Sequence, residues 1–314
     1  MCCFAQPVEH VGKTRIFTRL TGKGSQYIAY QMEYESKTKN AMILPIPSAP
    51  NPTEKSARFL DLKDNDGFFD QLHRAFPAPV PPAGIDSIAG SRSGAVTNSV
   101  KLAVKEVGDF IASVVPTLAD FSRLDPQFVI APDVWKQIPE YADYSFIVFQ
   151  LEKLSGKPHP MAFEFDSRLK EELFFPTVHI HDGEVHKKEH FDHELYCQHA
   201  AFDAVVGKYT RSIDKKTGLV RSKGPAGNYV NVEKSKGLID PNLLLHRKRM
   251  RGNLTNRDVL VRASGDPLKI SAISNSSRWW TVGGLLGASM LPLGWVIRRR
   301  QLLAENSVET PETE

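Results

Sequence analysis

Residues 279–297 form an uncharged run of nineteen residues, and this run constrains the architecture of the chain more than any other feature. A helix of that length spans about 28 Å, close to the thickness of the hydrocarbon core of a bilayer. Trp279 and Trp295 stand near its two ends, where indole rings favour the membrane interface, and three arginines follow at 298–300. The run therefore predicts one C-terminal transmembrane helix, followed by a short tail at 298–314.

This prediction makes the chain a single-pass membrane protein whose first partner is lipid. Gly283 and Gly287 form a small-xxx-small pair, which predicts a homodimer contact between two such helices. The side of the membrane occupied by the preceding domain stays open, because two rules disagree. The three arginines favour a cytoplasmic C-terminus, whereas the start of the chain shows neither the basic nor the apolar region of a signal peptide.

A basic block precedes the predicted span. The net charge of the whole chain is +4, which is too small to indicate a specific nucleic-acid partner. Between Lys208 and Arg251, however, twelve Lys or Arg residues accompany three acidic residues, a local balance of +9. Such a block suits an anionic surface, either lipid headgroups or RNA, and the plain alternative is a solvated loop. We expect a basic, loop-rich region at 208–275 whose residues 208–251 contact anionic lipid.

The first 76 residues show the patterns of β-structure. Runs rich in strand-forming residues lie at 14–20, 26–34 and 41–46, and the second of them alternates regularly. Glycine-rich and polar turn signals separate the three runs. Together they predict a β-rich N-terminal part, residues 1–76, built as an antiparallel meander.

The middle of the chain predicts a second β-rich part after a break. Residues 77–99 are rich in Pro, Gly and Ser, which indicates a linker or loop. Residues 100–207 resume strand patterns, and the apolar run 146–149 is typical of a central buried strand. The predicted fold class is therefore α+β, mainly antiparallel β-sheet with a few helices, plus the C-terminal transmembrane helix.

Short motifs are spread over residues 2–182. They are Cys2-Cys3-Phe4, Arg15-Ile16-Phe17, Tyr34 with 41–47, and the stretches 107–110, 141–151 and 160–165. Together with the C-terminal span, they resemble a bacterial domain-of-unknown-function family of membrane-anchored proteins. Members of that family carry a signal peptide, a Cys-rich N-terminus and a C-terminal membrane helix, so the resemblance implies an anchored, exported domain. No such signal peptide is evident here, and the family brings no established activity.

Histidines are concentrated in one segment. Six of the ten in the chain fall between positions 179 and 199. His179 and His181 are spaced i, i+2 within an apolar run, so on a strand both imidazoles lie on one face. This is how a sheet presents two nitrogen donors to one metal ion.

The residues after this pair predict a helix. At 100° per residue, one narrow stripe of that helix carries three imidazoles and a thiol, namely His186, His190, His193 and Cys197. Phe191 and Leu195 fall almost opposite. The helix is therefore expected to pack on the core with one face and to present metal donors on the other.

These donors predict a transition-metal site that holds zinc or copper. The candidate ligands are His179, His181, His190, His193 and Cys197. Glu184, Glu189 and Glu194 lie nearby in the sequence and are candidates for orienting imidazoles or acting as a general base. Two alternatives stay open: a histidine-rich face that binds no metal, and a cluster that senses pH.

Cys2 is a separate candidate nucleophile. If Met1 is removed, Cys2 becomes the N-terminal residue and its own α-amine can act as its base, as in N-terminal-nucleophile hydrolases. Cys3 stands where the amidotransferases of that class have glycine, and lipid attachment, a buried thiol or a metal contact are the alternatives. The leading hypothesis is a membrane-anchored binding domain with a metal site. The others are a hydrolase, either metal-dependent or using Cys2, and a structural or interaction module without a site.

Overall fold

The computed structural model describes residues 2–76, 104–205 and 218–262, and these residues form sixteen strands and three α-helices. The strands are β1 (Cys2–Phe4), β2 (His10–Leu20), β3 (Ser25–Glu35), β4 (Asn40–Ile46), β5 (Ala57–Asp61), β6 (Val104–Val107), β7 (Phe110–Val115), β8 (Ser145–Leu151), β9 (Ser155–Gly156), β10 (Met161–Asp166), β11 (Glu172–Phe175), β12 (His179–Ile180), β13 (Lys188–Gln198), β14 (Val220–Pro225), β15 (Leu244–Thr255) and β16 (Val259–Arg262). The helices are α1 (Phe68–Arg74), α2 (Pro132–Lys136) and α3 (Ala200–Val205). Short 3-10 helices lie at Lys63–Asn65, Leu118–Arg123, Pro126–Phe128, Pro139–Tyr141, Ala226–Asn228 and Glu233–Ser235.

Two sheets contain fourteen of the described strands. The six-stranded sheet has the order β12-β1-β4-β8-β7-β6. The eight-stranded sheet has the order β14-β15-β13-β2-β3-β10-β5, with β9 paired to β3, while β11 and β16 form a separate pair. Neighbouring strands are antiparallel except for two parallel pairs, β1 with β12 and β13 with β2. The predicted class, α+β with mainly antiparallel sheet and few helices, is confirmed for the described part of the chain.

Aromatic side chains fill the space between the two sheets. Phe149 on the central strand β8 is completely buried, and its ring centroid lies 5.7 Å from that of Phe59 and 6.3 Å from that of Phe163. Both of these partners belong to the eight-stranded sheet. The run 146–149 is therefore a central buried strand, as its composition predicts.

The outer face of each sheet is also covered. On the eight-stranded sheet, Phe17 packs edge-on against Phe68 of α1, with ring centroids 5.9 Å apart. On the six-stranded sheet, Phe121 and Trp135 each lie 5.0 Å from the ring of Phe146. Because both faces of β8 are covered, its apolar residues run almost continuously instead of alternating with polar ones.

The strands of the N-terminal part are divided between the two sheets. β2 and β3 are antiparallel neighbours, as predicted. β4, however, pairs with β1 and β8 in the six-stranded sheet, so the predicted meander ends after its second strand. The apolar pattern of the third run locates a strand but carries no information about its partner.

The basic region contains more strand than its composition predicts. Its described residues, 218–262, include β14, β16 and the twelve-residue strand β15, so the expectation of a loop-rich region is wrong for this part. Arg247 on β15 is 6% exposed, and its guanidinium lies 4.4 Å above the ring of Phe76. Arg249 donates from Nε to Glu194 at 2.8 Å. Residues with long basic side chains are therefore accommodated in this strand, because their aliphatic stems pack on the protein and their guanidinium groups contact an aromatic ring or a carboxylate.

Several predictions fall on residues that the structure does not describe. These are the linker at 77–99, residues 208–217 and 263–275 of the basic region, the span at 279–297 with Gly283 and Gly287, and the tail at 298–314. Among the described residues, no helix is both long and apolar enough to cross a membrane.

Candidate metal centre

The histidine-rich segment after position 187 is a strand, so the predicted helix is wrong. β13 has hydrogen-bonded neighbours on both sides, antiparallel β15 and parallel β2. Along it, Phe191, His193 and Leu195 are buried on the face toward the other sheet, whereas His190 on the opposite face is exposed. Backbone hydrogen bonds to two neighbouring strands determine the secondary structure of this segment. The helical spacing of its side chains is only a weak local preference, which the tertiary structure overrides.

His179 and His181 share one face, as their i, i+2 spacing predicts. His179 lies in β12 and His181 follows directly after it. Their rings are stacked, with centroids 4.7 Å apart and an interplanar angle of 25°. Between them, Ile180 is completely buried. The alternation along β12 thus directs one side chain into the apolar core and two imidazoles to a common site.

Residues between β15 and β16 hold β12 in place. Asn256 Oδ1 accepts the N–H of His179 at 2.7 Å, and its Nδ2 donates to the carbonyls of His179 at 2.9 Å and His186 at 3.0 Å. Asp258 Oδ1 accepts the N–H of Thr177 at 2.7 Å. A two-residue strand has few ladder bonds of its own, so these side chains fix the backbone that carries the two imidazoles.

His179, His181 and Glu189 form a cluster that could hold a metal ion. One donor atom from each of the three lies within 4.8 Å of the other two. His179 is buried, while His181 and Glu189 are half-buried. The two histidines belong to the edge of the six-stranded sheet, and Glu189 belongs to β13 of the eight-stranded sheet. The cluster therefore joins the two sheets and has one side toward solvent.

His193 adjoins this cluster from β13. Its Nε2 lies 3.0 Å from Nε2 of His179, which is hydrogen-bonding distance. Three ring nitrogens are buried and have no hydrogen-bond partner among the described residues: Nδ1 of His179, Nε2 of His181 and Nδ1 of His193. Buried polar atoms are nearly always paired in folded proteins, so three such nitrogens in one place are unusual.

Burial favours the neutral form of the imidazoles in this group. Burial lowers the pKa of His179 to about 2 and that of His181 to about 4, and neighbouring positive charges add to the effect. Burial also lowers the pKa of His193 well below its ordinary value. Neutral imidazoles have the free lone pair that a metal ion requires, whereas protonated ones do not.

The remaining predicted site residues lie elsewhere. His190 is on the solvent face of β13, and exposed His186 bonds through Nε2 to Asp182 at 2.8 Å. Cys197 is on the inner face but four residues beyond His193, about 13 Å along the strand, and burial raises the pKa of its thiol. Cys2 lies in β1, where its backbone pairs with His179. The structure thus brings together two of the five candidate ligands with Glu189, places His193 beside them, and separates His190 and Cys197.

Glu189 was not among the predicted ligands, although its signal is present in the sequence. If the segment is given a period of two, Glu189, Phe191 and His193 fall on one face, with Glu189 at its solvent end. Asn256 offers no comparable signal, since its three partners lie about seventy residues away in sequence.

No family model matches the chain, and no curated protein matches it. Among solved structures, the crystal structure of baculovirus P35 matches with a TM-score of 0.44 and 12% identity, covering 84% of this chain and 100% of that one. The crystal structure of the caspase-8/P35 complex matches with a TM-score of 0.40 and 11% identity, covering 80% of this chain and 95% of that one. At TM-scores and identities this low, the similarity supports no conclusion about the function of this chain.

Proposed function

We propose that this chain is a membrane-anchored domain that binds a transition-metal ion through His179, His181 and Glu189. The observation that supports it is the convergence of three donor atoms within 4.8 Å, from strands of two different sheets. Two donors of a tetrahedral zinc ion lie about 3.3 Å apart, so shifts of about 1 Å in flexible side chains would complete the coordination. The buried and unpartnered nitrogens of His179 and His181 would gain the partner that they lack.

The donor set favours zinc, with copper as the competing ion. Imidazole suits both metals, whereas a carboxylate is a hard ligand that zinc accepts readily. Two histidines and one glutamate also form the ligand set of several zinc hydrolases. Copper in its reduced form prefers thiolate or thioether ligands, and Cys197, the nearest candidate thiol on β13, lies too far along the strand.

Metal analysis of the full-length chain tests the proposal. We expect about one equivalent of zinc to remain after dialysis, and replacement of His179 or His181 by alanine to weaken binding by more than about 100-fold. His190→Ala is the matched control, because His190 is an exposed histidine on the other face of β13. Retention of less than about one-tenth equivalent of zinc and copper by the wild type would refute metal binding. Equal affinity in the His179 and control variants would refute the assignment of the site.

Membrane anchoring is a distinct part of the proposal and needs its own experiment. Its support is the uncharged run at 279–297 with aromatic ends and a following arginine cluster. We expect the full-length chain to resist extraction from membranes by alkaline carbonate, and a chain ending before Arg278 to be released. Release of both would contradict the anchor. Protease protection in intact cells would then identify the side of the membrane on which the domain lies.

A metal-dependent hydrolase is the second candidate, because three protein ligands leave a fourth position for water on the solvent side of the cluster. The protein loaded with cobalt reports that position through its visible absorption bands. We expect the bands to change on addition of acetohydroxamate, which replaces a bound water. Unchanged bands would indicate a closed site and remove the hydrolase from consideration.

A further inference from the structure

We propose that His193 is the positioning residue of the metal centre: its Nε2 accepts a hydrogen bond from Nε2–H of His179, which leaves Nδ1 of His179 facing the metal. This inference rests on the proposed function, because it assigns a role within the same site. It adds a residue whose contact is with a ligand and not with the ion.

One hydrogen bond decides the chemistry of His179. The two Nε2 atoms are 3.0 Å apart, and the residues are 2% and 1% exposed. A neutral imidazole has one N–H and one lone pair, so one ring must donate and the other must accept. The Nδ1 atoms of both rings have no partner among the described residues. The direction of this bond therefore determines whether Nδ1 of His179 carries a proton or a free lone pair.

The surroundings favour His179 as the donor. Either direction leaves one buried Nδ1–H without a hydrogen-bond acceptor, on His179 in the opposite arrangement and on His193 in this one. The two arrangements therefore differ in the charge that faces this N–H. With His179 as the donor, the proton of His193 lies on its Nδ1, 3.8 Å from Oδ1 of Asp192. That distance is too long for a hydrogen bond, but the carboxylate still attracts the N–H electrostatically.

Packing holds the two rings in this relation. The ring of His179 packs against two residues of β13, with its centroid 4.4 Å from that of Phe191 and 4.7 Å from that of His193. The plane of the His179 ring is inclined by 28° to that of Phe191 and by 25° to that of His193, while the latter two rings lie at 52° to each other. On the other side of β13, Met250 of β15 is the strand partner of His193. Both imidazoles are almost completely buried among these contacts.

This arrangement matches a general feature of metal sites. A ligating histidine usually donates its second ring N–H to a partner, which fixes the orientation of the ring and makes the donor nitrogen more basic. In this chain the partner is a second imidazole, with the carboxylate of Asp192 behind it. His193 thus contributes to metal affinity without contributing a ligand.

The first test reads the proton position directly and needs no metal. Long-range ¹H–¹⁵N spectra of the full-length chain, labelled at histidine and assigned through single His→Gln variants, distinguish the two tautomers. We expect His179 to carry its proton on Nε2 at neutral pH. A proton on Nδ1 of His179 would overturn the inference, whether or not the protein binds zinc.

The second test measures zinc affinity in matched variants. His193→Leu keeps most of the buried volume but removes the acceptor, and we expect it to weaken zinc binding about 10- to 100-fold. His193→Gln keeps an acceptor oxygen, so it should recover most of the loss, and His190→Leu should bind like the wild type. A zinc-binding wild type with an equally tight His193→Leu variant would overturn the inference alone.

The two tests separate the possible failures. If the wild type binds no zinc, the proposed function fails and the tautomer of His179 alone decides the hydrogen-bond assignment. Far-ultraviolet circular dichroism shows whether His193→Leu folds. If it does not, two measurements replace it: the zinc affinity of His193→Gln relative to the wild type, and the tautomer of His179. A His193→Gln variant that loses zinc as completely as His179→Ala would show that His193 is itself a ligand.

Discussion

Replacing Asn256 by alanine removes three hydrogen bonds that hold the backbone of the metal-binding segment. The amide accepts from the N–H of His179 and donates to the carbonyls of His179 and His186, at distances between 2.7 and 3.0 Å. The backbone N–H of Asn256 also donates to Lys187 at 3.1 Å, and this bond survives the substitution. The change therefore isolates the contribution of one side chain.

The expected cost follows from the number of bonds. A hydrogen bond within a folded protein contributes about 1 kcal/mol net, so three lost bonds amount to about 3 kcal/mol. Asn256→Asp keeps the acceptor for the N–H of His179 but loses both donors, and it directs a charged oxygen at two carbonyls. We expect it to be at least as destabilising as the alanine variant. Both variants should also bind zinc more weakly, because the backbone of His179 is no longer fixed.

Urea unfolding of the full-length chain, followed by circular dichroism, measures this effect. We expect the midpoint to fall while the slope of the transition stays unchanged, since the surface exposed on unfolding is the same. Asn253→Ala is the matched control: Asn253 is an exposed asparagine on the adjoining strand β15, and a surface change of this kind costs less than about 0.5 kcal/mol. If Asn256→Ala also stays within about 0.5 kcal/mol of the wild type, the segment does not depend on Asn256 and the reasoning is wrong.

Two further predictions concern the fold. Phe149→Ala should lower the free energy of unfolding by about 3–5 kcal/mol in the same urea assay, because a completely buried ring leaves a cavity between the sheets; exposed Leu154→Ala should cost little, and equal costs would contradict the packing. Burial alone would raise the pKa of Glu194, but hydrogen bonds from a histidine and a tyrosine and nearby positive charge outweigh it and hold that pKa well below 4.5. Below about pH 4.5 this carboxylate is protonated in the unfolded chain but stays ionised in the folded chain, so the free energy of unfolding should fall as the pH drops below that value. Glu194→Gln should flatten this dependence below about pH 5, whereas an unchanged slope would show that other carboxylates are responsible.

The parts of the fold that the sequence predicts are those encoded over short distances. β2, β3 and β8 are present at the predicted positions, because alternation and apolar runs report local burial. The pairing of β4 is different, since its partners β1 and β8 lie far from it in sequence. No local pattern states which strand will be its neighbour.

The segment around His193 shows how two periods can compete. Phe191 and Leu195 are four residues apart, which satisfies a helix, and an even number apart, which equally satisfies a strand. Cys197 resolves the ambiguity in favour of the strand, because it extends the buried positions with a step of two. Asp192 and Glu194 resemble the solvated face of a helix, but in the structure they lie on the face of β13 opposite to Phe191, His193 and Leu195.

The sequence predicts the metal donors of the candidate site but not the residues that position them. His179 and His181 form a pair by spacing alone, and Glu189 follows once β13 is taken as a strand. Asn256 is 77 residues from His179, so its role depends on the docking of distant strands. Positioning residues of this kind are set by the tertiary fold, which a single sequence does not reveal.

The placement of β1 between β4 and β12 has a consequence for the order of assembly. The thiol of Cys3 contacts the carbonyl of Val178, 175 residues further along the chain. During synthesis, β1 emerges first but waits for β12 until more than half of the protein has been made, because contacts of such long range close late. The metal-binding segment therefore belongs to the last part of the six-stranded sheet to assemble. In a nascent chain that stalls before position 179, β1 would be paired only with β4, and its other edge would stay open until β12 is made.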